Sequence, residues 1–176
     1  MSRLDDTQVD VLLSAEKLQA RVAEMGAEIT RDYKSKPLKL VGVLKGSFMF
    51  LADLARAIDL PIKLDFIGTS SYQGAASSGV VRITNDLSRP IEGEHVLLVE
   101  DIVDTGLTMR YLIDNLATRK PASLRVCALL EKPSRAKVPI AVDYTGFSIP
   151  DDFVVGYGLD WDGRFRNLPF IAVVRG

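Results

Sequence analysis

Short apolar runs alternate with amphipathic stretches along this chain, and the alternation predicts the order of its elements. Behind Ser14, whose hydroxyl suits the position before a first helical turn, Leu18, Val22, Met25 and Ile29 recur at helical spacing. The pattern fades by Tyr33, and Lys34-Ser-Lys-Pro37 predicts a turn. Leu38-Lys-Leu-Val-Gly-Val-Leu44 is short and largely apolar, as suits a strand buried on both faces. Lys45-Gly-Ser47 breaks it, with Ser47 placed to cap a helix whose face is Phe48, Leu51, Leu54, Ala55 and Ile58. Ile62 to Ile67 predicts the next strand, and Ser70 to Gly79, rich in Ser, Gly and Ala, predicts a mobile loop. Val80 to Thr84 reads as one more strand. Val96-Leu-Leu-Val99 is the clearest buried strand; a helix from about Leu107 to Thr118 and a strand from Ser123 to Leu130 follow it.

Strands alternating with helices define an α/β class with a mostly parallel central sheet flanked by helices. Beyond Lys132 the chain is richer in Pro, Gly and aromatics and shows no helical period, which predicts short strands and loops capping the sheet's edge as a small C-terminal lobe. With 176 residues, no internal repeat and no low-complexity linker, residues 1–176 read as a single domain.

Composition narrows the function more than the fold. A hydrophobic share of 47% with 26% charged residues is that of an ordinary folded protein. The formal net charge of -1 gives no global attraction to nucleic acid or to an anionic membrane. The single cysteine, Cys127, excludes an intrachain disulfide or a Cys-rich zinc site, and its apolar surroundings predict a packed, inert thiol. His95, the only histidine, precedes the buried strand at the end away from the candidate chemistry, and reads as solvated. One His and one Cys give poor support to hydrolase triads and His-based zinc sites. The N-terminus lacks a signal-peptide stretch and no run approaches a membrane span of about 18 apolar residues, so a cytoplasmic protein is expected.

The most informative stretch is Val96-Leu-Leu-Val-Glu-Asp-Ile-Val-Asp-Thr-Gly-Leu-Thr108. An apolar strand ends in two adjacent acids, Glu100 and Asp101, and a turn with Asp104, Thr105, Gly106 and Thr108 leads into a helix. In open α/β sheets ligands bind beyond the carboxyl ends of the strands. Free amides at the helix start favour an anion, glycine permits close backbone approach, and the threonine hydroxyls add donors. Two acids would repel a phosphate unless they served another part of the ligand. Ribose hydroxyls suit them, and a magnesium ion would moderate the repulsion.

These residues resemble the type I phosphoribosyltransferases, specifically the hypoxanthine-guanine phosphoribosyltransferases, and the resemblance runs from about Leu12 to Val174. It implies that Glu100 and Asp101 hold the ribose hydroxyls and an associated Mg2+. It also implies that Asp104, Thr105, Gly106, Leu107 and Thr108 form the 5′-phosphate loop, with leucine at 107 where several relatives carry lysine. Leu44-Lys-Gly-Ser47 matches a pyrophosphate loop, which assigns Lys45 and Gly46 to pyrophosphate and implies a cis peptide between Leu44 and Lys45. Ser70, Ser71 and Tyr72, followed by Ser77-Ser-Gly79, resemble the flexible catalytic loop that excludes water, with Ala75-Ala76 replacing a more polar stretch. Lys132 is implied to contact O6 of a purine, Phe153 to stack on the base and the Val154 backbone to bond its edge. Asp160 is implied to lie near a second metal and the purine's exocyclic edge, and Arg166 to contact pyrophosphate. Residues 132–176 would then supply much of a hood over the base. Core packing is the preferred reading of Tyr157, and Trp161 carries no assigned chemistry.

The implied reaction joins phosphoribosyl pyrophosphate to a 6-oxopurine base, with Asp104 accepting the proton from purine N7. A homodimer or homotetramer is implied, with no nucleic-acid or membrane partner. Two other readings stay open: a xanthine-preferring phosphoribosyltransferase, and an RNA-binding regulator of the same fold, which the near balance of acids and bases disfavours. Asp104→Asn should lower turnover much more than nucleotide affinity, comparing steady-state rates with nucleotide binding by calorimetry; equal losses would reduce Asp104 to a loop-shaping residue.

Overall fold

The computed structural model describes residues 2–4, 7–71 and 80–175. In chain order the elements are β1 (Ser2–Leu4), β2 (Thr7–Leu13), α1 (Ala15–Asp32), β3 (Leu38–Leu44), α2 (Phe48–Ala57), β4 (Ile62–Ser71), β5 (Val81–Asn85), β6 (His95–Val103), α3 (Leu107–Ala117), β7 (Ser123–Glu131), a 3-10 turn (Pro133–Arg135), β8 (Tyr144–Ser148), β9 (Val154–Val155) and β10 (Ile171–Arg175).

Six strands form the central sheet in the order β5-β4-β3-β6-β7-β8. All neighbours pair in parallel except β4 with the edge strand β5, which is antiparallel. The chain leaves β3 for β4 on one side, then returns to place β6 on the other, so strand order reverses between β3 and β6. In a parallel sheet that reversal opens a crevice beyond the strand ends, because the two connections depart to opposite faces. Here α2 follows β3, and α3 follows β6.

Each strand in the middle of the sheet feeds two cores. On β6, Leu97 and Val99 pack with the α1–α2 side, where Leu18, Met25, Ile29, Phe50 and Leu54 are buried. Val96 and Leu98 pack with Met109, Leu112 and Leu116 of α3. This two-sided burial explains why the strand reads as a continuous apolar run. Cys127 belongs to the first of these cores and is fully buried, which pushes its thiol far above the ordinary range and makes it inert. His95 lies at the opposite end of β6 from the acid pair, with Nδ1 2.8 Å from the Ser123 hydroxyl.

A second, four-stranded antiparallel sheet, in the order β1-β2-β10-β9, joins the beginning of the chain to its end. It packs around Val9, Val155, Phe165 and Ala172. Three expectations are corrected here. The segment after Lys132 only partly caps the sheet's edge: β8 does so by pairing with β7, while β9 and β10 belong to the second sheet. Ser47 does not cap α2 with its side chain; its hydroxyl donates back to the Val43 carbonyl at 2.7 Å, which holds the turn instead. Ser70 and Ser71 continue β4 rather than opening a loop, because β5 pairs with them. Tyr72 to Gly79, with the rest of the expected loop, lies outside the described residues.

By contrast, Ser14 caps α1 as expected, accepting from the Lys17 amide at 3.3 Å. No described helix is long and apolar enough to cross a membrane. Leu97 is fully buried at the centre of the sheet, so Leu97→Ala should cost about 3 kcal/mol of stability, read from the midpoint of urea unfolding.

Candidate active site

The carboxyl ends of β3 and β6 meet at the crevice, and the sequence places its most informative residues there. At the carboxyl end of β6 and just beyond it, Glu100, Asp101, Asp104, Thr105, Gly106 and Thr108 line one small cavity of about 120 Å³. The turn closes because Gly106 adopts φ 84, a left-handed conformation that favours glycine. A Cβ there would also lie 2.5 Å from the Val138 carbonyl oxygen. The Thr105 hydroxyl accepts from the Leu107 amide at 3.4 Å. Among the described residues, no protein acceptor takes the amides of Thr105, Gly106 and Thr108. Three free donors at the start of α3 make an anion cradle.

The acid pair has the opposite character. Glu100 is buried, and burial pushes its carboxyl well above the ordinary range, with the adjoining Asp101 carboxylate pushing the same way. Burial also raises Asp101, outweighing its hydrogen bond with Glu100 and the nearby Arg166 charge. Glu100 Oε1 accepts the Asp101 amide at 3.0 Å and Asp101 Oδ1 accepts the Ile102 amide at 2.7 Å. The other oxygen of each takes no N–H among the described residues. An under-compensated, oxygen-only pair fits a hard divalent cation such as Mg2+, which draws its remaining ligands from water and substrate phosphates.

The β3 end closes against this pair. The Leu44–Lys45 peptide is cis. A Cβ on Gly46 would collide with Asp101 Oδ2, so any side chain there would force the Asp101 carboxylate aside. The Gly46 carbonyl oxygen in turn abuts Gly158. Arg166 Nη1 donates to the Gly158 carbonyl at 2.6 Å, and its Nη2 lies 2.8 Å from Asp160 Oδ1. Lys45, Gly46, Asp101, Gly158, Asp160 and Arg166 therefore gather from three separate stretches of chain. Asp160 spends its second oxygen on the Gly163 amide at 2.8 Å. It does not join Glu100 and Asp101 in one cage: among the described residues, no three His, Cys, Asp or Glu side chains gather to hold a metal ion.

Lys132 and Asp104 share a second cavity of about 240 Å³, floored by Val103, Val138 and Ile140. Lys132 is buried, with its ammonium 3.7 Å from Asp151 Oδ1. Phe153 stands 54% exposed, two residues from Asp151, and Val154 is buried behind it in β9. Tyr157 belongs to the core, as expected, and its hydroxyl bonds Asp53. Trp161 stacks on Phe165. Ser70 and Ser71 end β4, and Tyr72 lies outside the described residues.

A larger cavity, about 650 Å³, lies elsewhere, against Lys39, Lys63, Asp65 and Ser88 near the other end of the sheet. Several of its polar groups already satisfy one another: Asp65 accepts from the Ser88 amide and hydroxyl, and Lys63 pairs with Glu94 at 2.8 Å. Free donors and under-compensated acids mark the smaller site as the reactive one.

Two contributors escaped the sequence reading. Arg135 Nε donates to Asp104 Oδ1 at 2.6 Å, and its Nη1 lies 3.4 Å from Asp151 Oδ1. The only signal in the sequence was a charged residue in the turn just after Lys132.

A parallel sheet with an anion cradle and an acid pair at its reversal point defines a nucleotide- or sugar-phosphate-handling α/β enzyme. The chain belongs to the phosphoribosyl transferase domain family, whose model matches residues 8–162. It is 52% identical over 170 residues to hypoxanthine phosphoribosyltransferase of Haemophilus influenzae, spanning 94% of this chain and 95% of that one. It is 46% identical to hypoxanthine-guanine phosphoribosyltransferase of Bacillus subtilis, over 94% of this chain and 92% of that one. Among solved structures, a hypoxanthine phosphoribosyltransferase from Staphylococcus aureus superposes with a TM-score of 0.90 at 47% identity, covering 94% of this chain and 91% of that one. Hypoxanthine phosphoribosyl transferase of Trypanosoma cruzi superposes with a TM-score of 0.92 at 44% identity, covering 99% and 95%.

The acid pair carries a pH signature. Glu100 and Asp101 start from ordinary values of 4.5 and 3.8 and are both raised on folding. The folded protein therefore holds these protons more tightly than the unfolded chain. The stability they contribute is present below the ordinary values and is lost as pH rises through the raised ones. Without substrate or metal, Glu100→Gln should raise the melting temperature at neutral pH and flatten its decline between acid and neutral pH, by calorimetry across a pH series. Gly46→Ala should displace Asp101 and lower kcat/KM for phosphoribosyl pyrophosphate by roughly a hundredfold, with the melting temperature little changed.

Proposed function

We propose that this chain acts in the cytoplasm as a purine salvage enzyme. It moves the 5-phosphoribosyl group from phosphoribosyl pyrophosphate to hypoxanthine or guanine, releasing pyrophosphate and giving IMP or GMP. The observation that carries this reading is the position of Asp104, which lines both the anion cradle and the cavity holding Lys132. A carboxylate there faces the sugar phosphate on one side and the base on the other.

In this reading the free amides of Thr105, Gly106 and Thr108, with the loop of Asp104 and Leu107, hold the 5′-phosphate. Glu100 and Asp101 take the ribose hydroxyls and, with Asp160 near a second site, are the oxygen ligands available to Mg2+. When bound, Mg2+ neutralises charge on the leaving pyrophosphate. Lys45, Gly46 and Arg166 supply a cation, a bare backbone and a guanidinium to the same group. The Lys132 ammonium donates to O6 of the purine, a contact that the amino group of adenine, itself a donor there, would refuse. Phe153 offers a face for stacking and Val154 a backbone edge, so residues 132–176 supply much of the hood.

The bond from C1 to pyrophosphate breaks ahead of bond formation to the purine nitrogen, giving a ribosyl cation-like transition state. Asp104 accepts the N7 proton as the nucleotide forms. No covalent enzyme nucleophile is needed, and the inert Cys127 and remote His95 supply none.

A homo-oligomer accords with Leu64 and Phe66, which share one face of β4 and remain 51% and 39% exposed. Incubating the protein with Mg2+, phosphoribosyl pyrophosphate and each of hypoxanthine, guanine, xanthine and adenine, then identifying the nucleotide formed, tests the reading. IMP and GMP are expected; XMP as the main product would shift the assignment to xanthine, and no nucleotide at all would remove it.

A further inference from the structure

Arg135 belongs to none of the motifs that marked the site, yet it ties two of the site's working groups together. Its Nε donates to Asp104 Oδ1 at 2.6 Å. On its other side, Nη1 lies 3.4 Å from each oxygen of Asp151. Asp151 Oδ1 also lies 3.7 Å from the Lys132 ammonium. Two acids and two bases thus alternate across the site, linking the carboxylate of the phosphate loop to the lysine of the base pocket.

We infer that Arg135 is a positioning residue for Asp104, held in place from behind by Asp151. A guanidinium is planar, with donors in a fixed fork, so gripping Asp151 with one nitrogen fixes the direction of the others. Nε then sets the plane of the Asp104 carboxylate. Only Oδ1 is occupied; Oδ2 takes no N–H among the described residues and is left to face purine N7. The phosphate loop itself does not need this contact, because the Thr105 carbonyl already accepts from the Lys137 and Val138 amides at 2.9 and 3.2 Å. Removing Arg135 therefore leaves the loop and frees the carboxylate on it. The pairs are well exposed, with Arg135 43%, Asp104 38% and Asp151 51% accessible, and exposed pairs add little to fold stability. The expected damage is to orientation.

The inference rests on the reading of Asp104 as proton acceptor, and a double-mutant cycle separates the two. Turnover, KM for hypoxanthine and for phosphoribosyl pyrophosphate, and melting temperature are measured for D104N, R135M, R135K, D151N and D104N/R135M. R135M should lower kcat roughly tenfold, with KM for phosphoribosyl pyrophosphate within about twofold and the melting temperature retained. R135K should recover part of the loss, because a point charge attracts the carboxylate without fixing its plane. D151N should show a smaller loss of kcat in the same direction. In the D104N background, R135M should cost nothing more, since Arg135 acts through the group already removed.

Wild-type turnover in R135M, a loss confined to KM or to stability, or a full multiplicative loss in the double variant would overturn the inference while leaving the Asp104 reading intact. Undiminished turnover in D104N would overturn both. Should R135M fail to fold, R135K and D151N carry the same cycle.

Discussion

The parallel pairing of β3 with β6, in a register that sets Gly42 opposite Val99, is the constraint on which the site depends. It brings two strand ends to the same level on neighbouring strands, and the chain leaves them toward opposite faces. Everything reactive then assembles from what each strand carries past its end. Gly46 can lie directly against the Asp101 carboxylate because it has no side chain, so the acid pair and the Lys45–Gly46 backbone share one small volume. That proximity is costly for the protein alone. It buries two acids, and the Asp101 charge adds to the burial that disfavours an ionised Glu100, so a compensating cation is left to come from the ligand side.

A second constraint operates between the phosphate loop and the connection after β7. The Val103 carbonyl accepts from the Lys132 amide at 3.0 Å, and the Thr105 carbonyl accepts from Lys137 and Val138. Gly106 packs against the Val138 carbonyl, and Arg110 reaches Pro139 at 2.7 Å. The connection runs along the loop as a strap, so the lysine proposed to read the base and the amides proposed to hold the phosphate are parts of one rigid piece. Preorganisation of this kind is what catalysis by positioning requires, since misplacement of about an ångström can cost a hundredfold in rate.

The sequence disclosed most clearly what depends on contiguous residues. A run of apolar positions on β6 followed by Glu100, Asp101, Asp104 and Gly106 carries strand, acids and turn in one stretch, and the structure gathers these side chains around one cavity. The helices were legible because α1 and α2 each bury a single stripe. What stayed hidden depends on segments that meet only after folding. Arg135 reaches Asp104 across 31 residues and Asp151 across 16, and nothing local in a Pro-Ser-Arg turn announces either contact. β2 was missed for a related reason. Val9, Val11 and Leu13 alternate over too short a stretch to declare a strand, and its main partner is β10. Ser47 misled because a hydroxyl before a helix has a second option, the carbonyl four residues behind it.

That second sheet carries a consequence for how the molecule comes together and comes apart. Its middle pair, β2 and β10, is fastened by contacts such as Arg175 with Asp10, separated by 165 residues of chain. Closing so long a span costs more entropy than any neighbouring pairing in the central sheet, and its reward arrives only when both segments are in place. The second sheet is therefore the part of the molecule that should assemble last and fray first, leaving a folded strand-and-helix body that keeps the loops proposed to grip the sugar phosphate but lacks part of the proposed wall for the base. A nucleotide bound as proposed would touch both parts, and would then act as the clasp that ties the late-forming sheet to the early one.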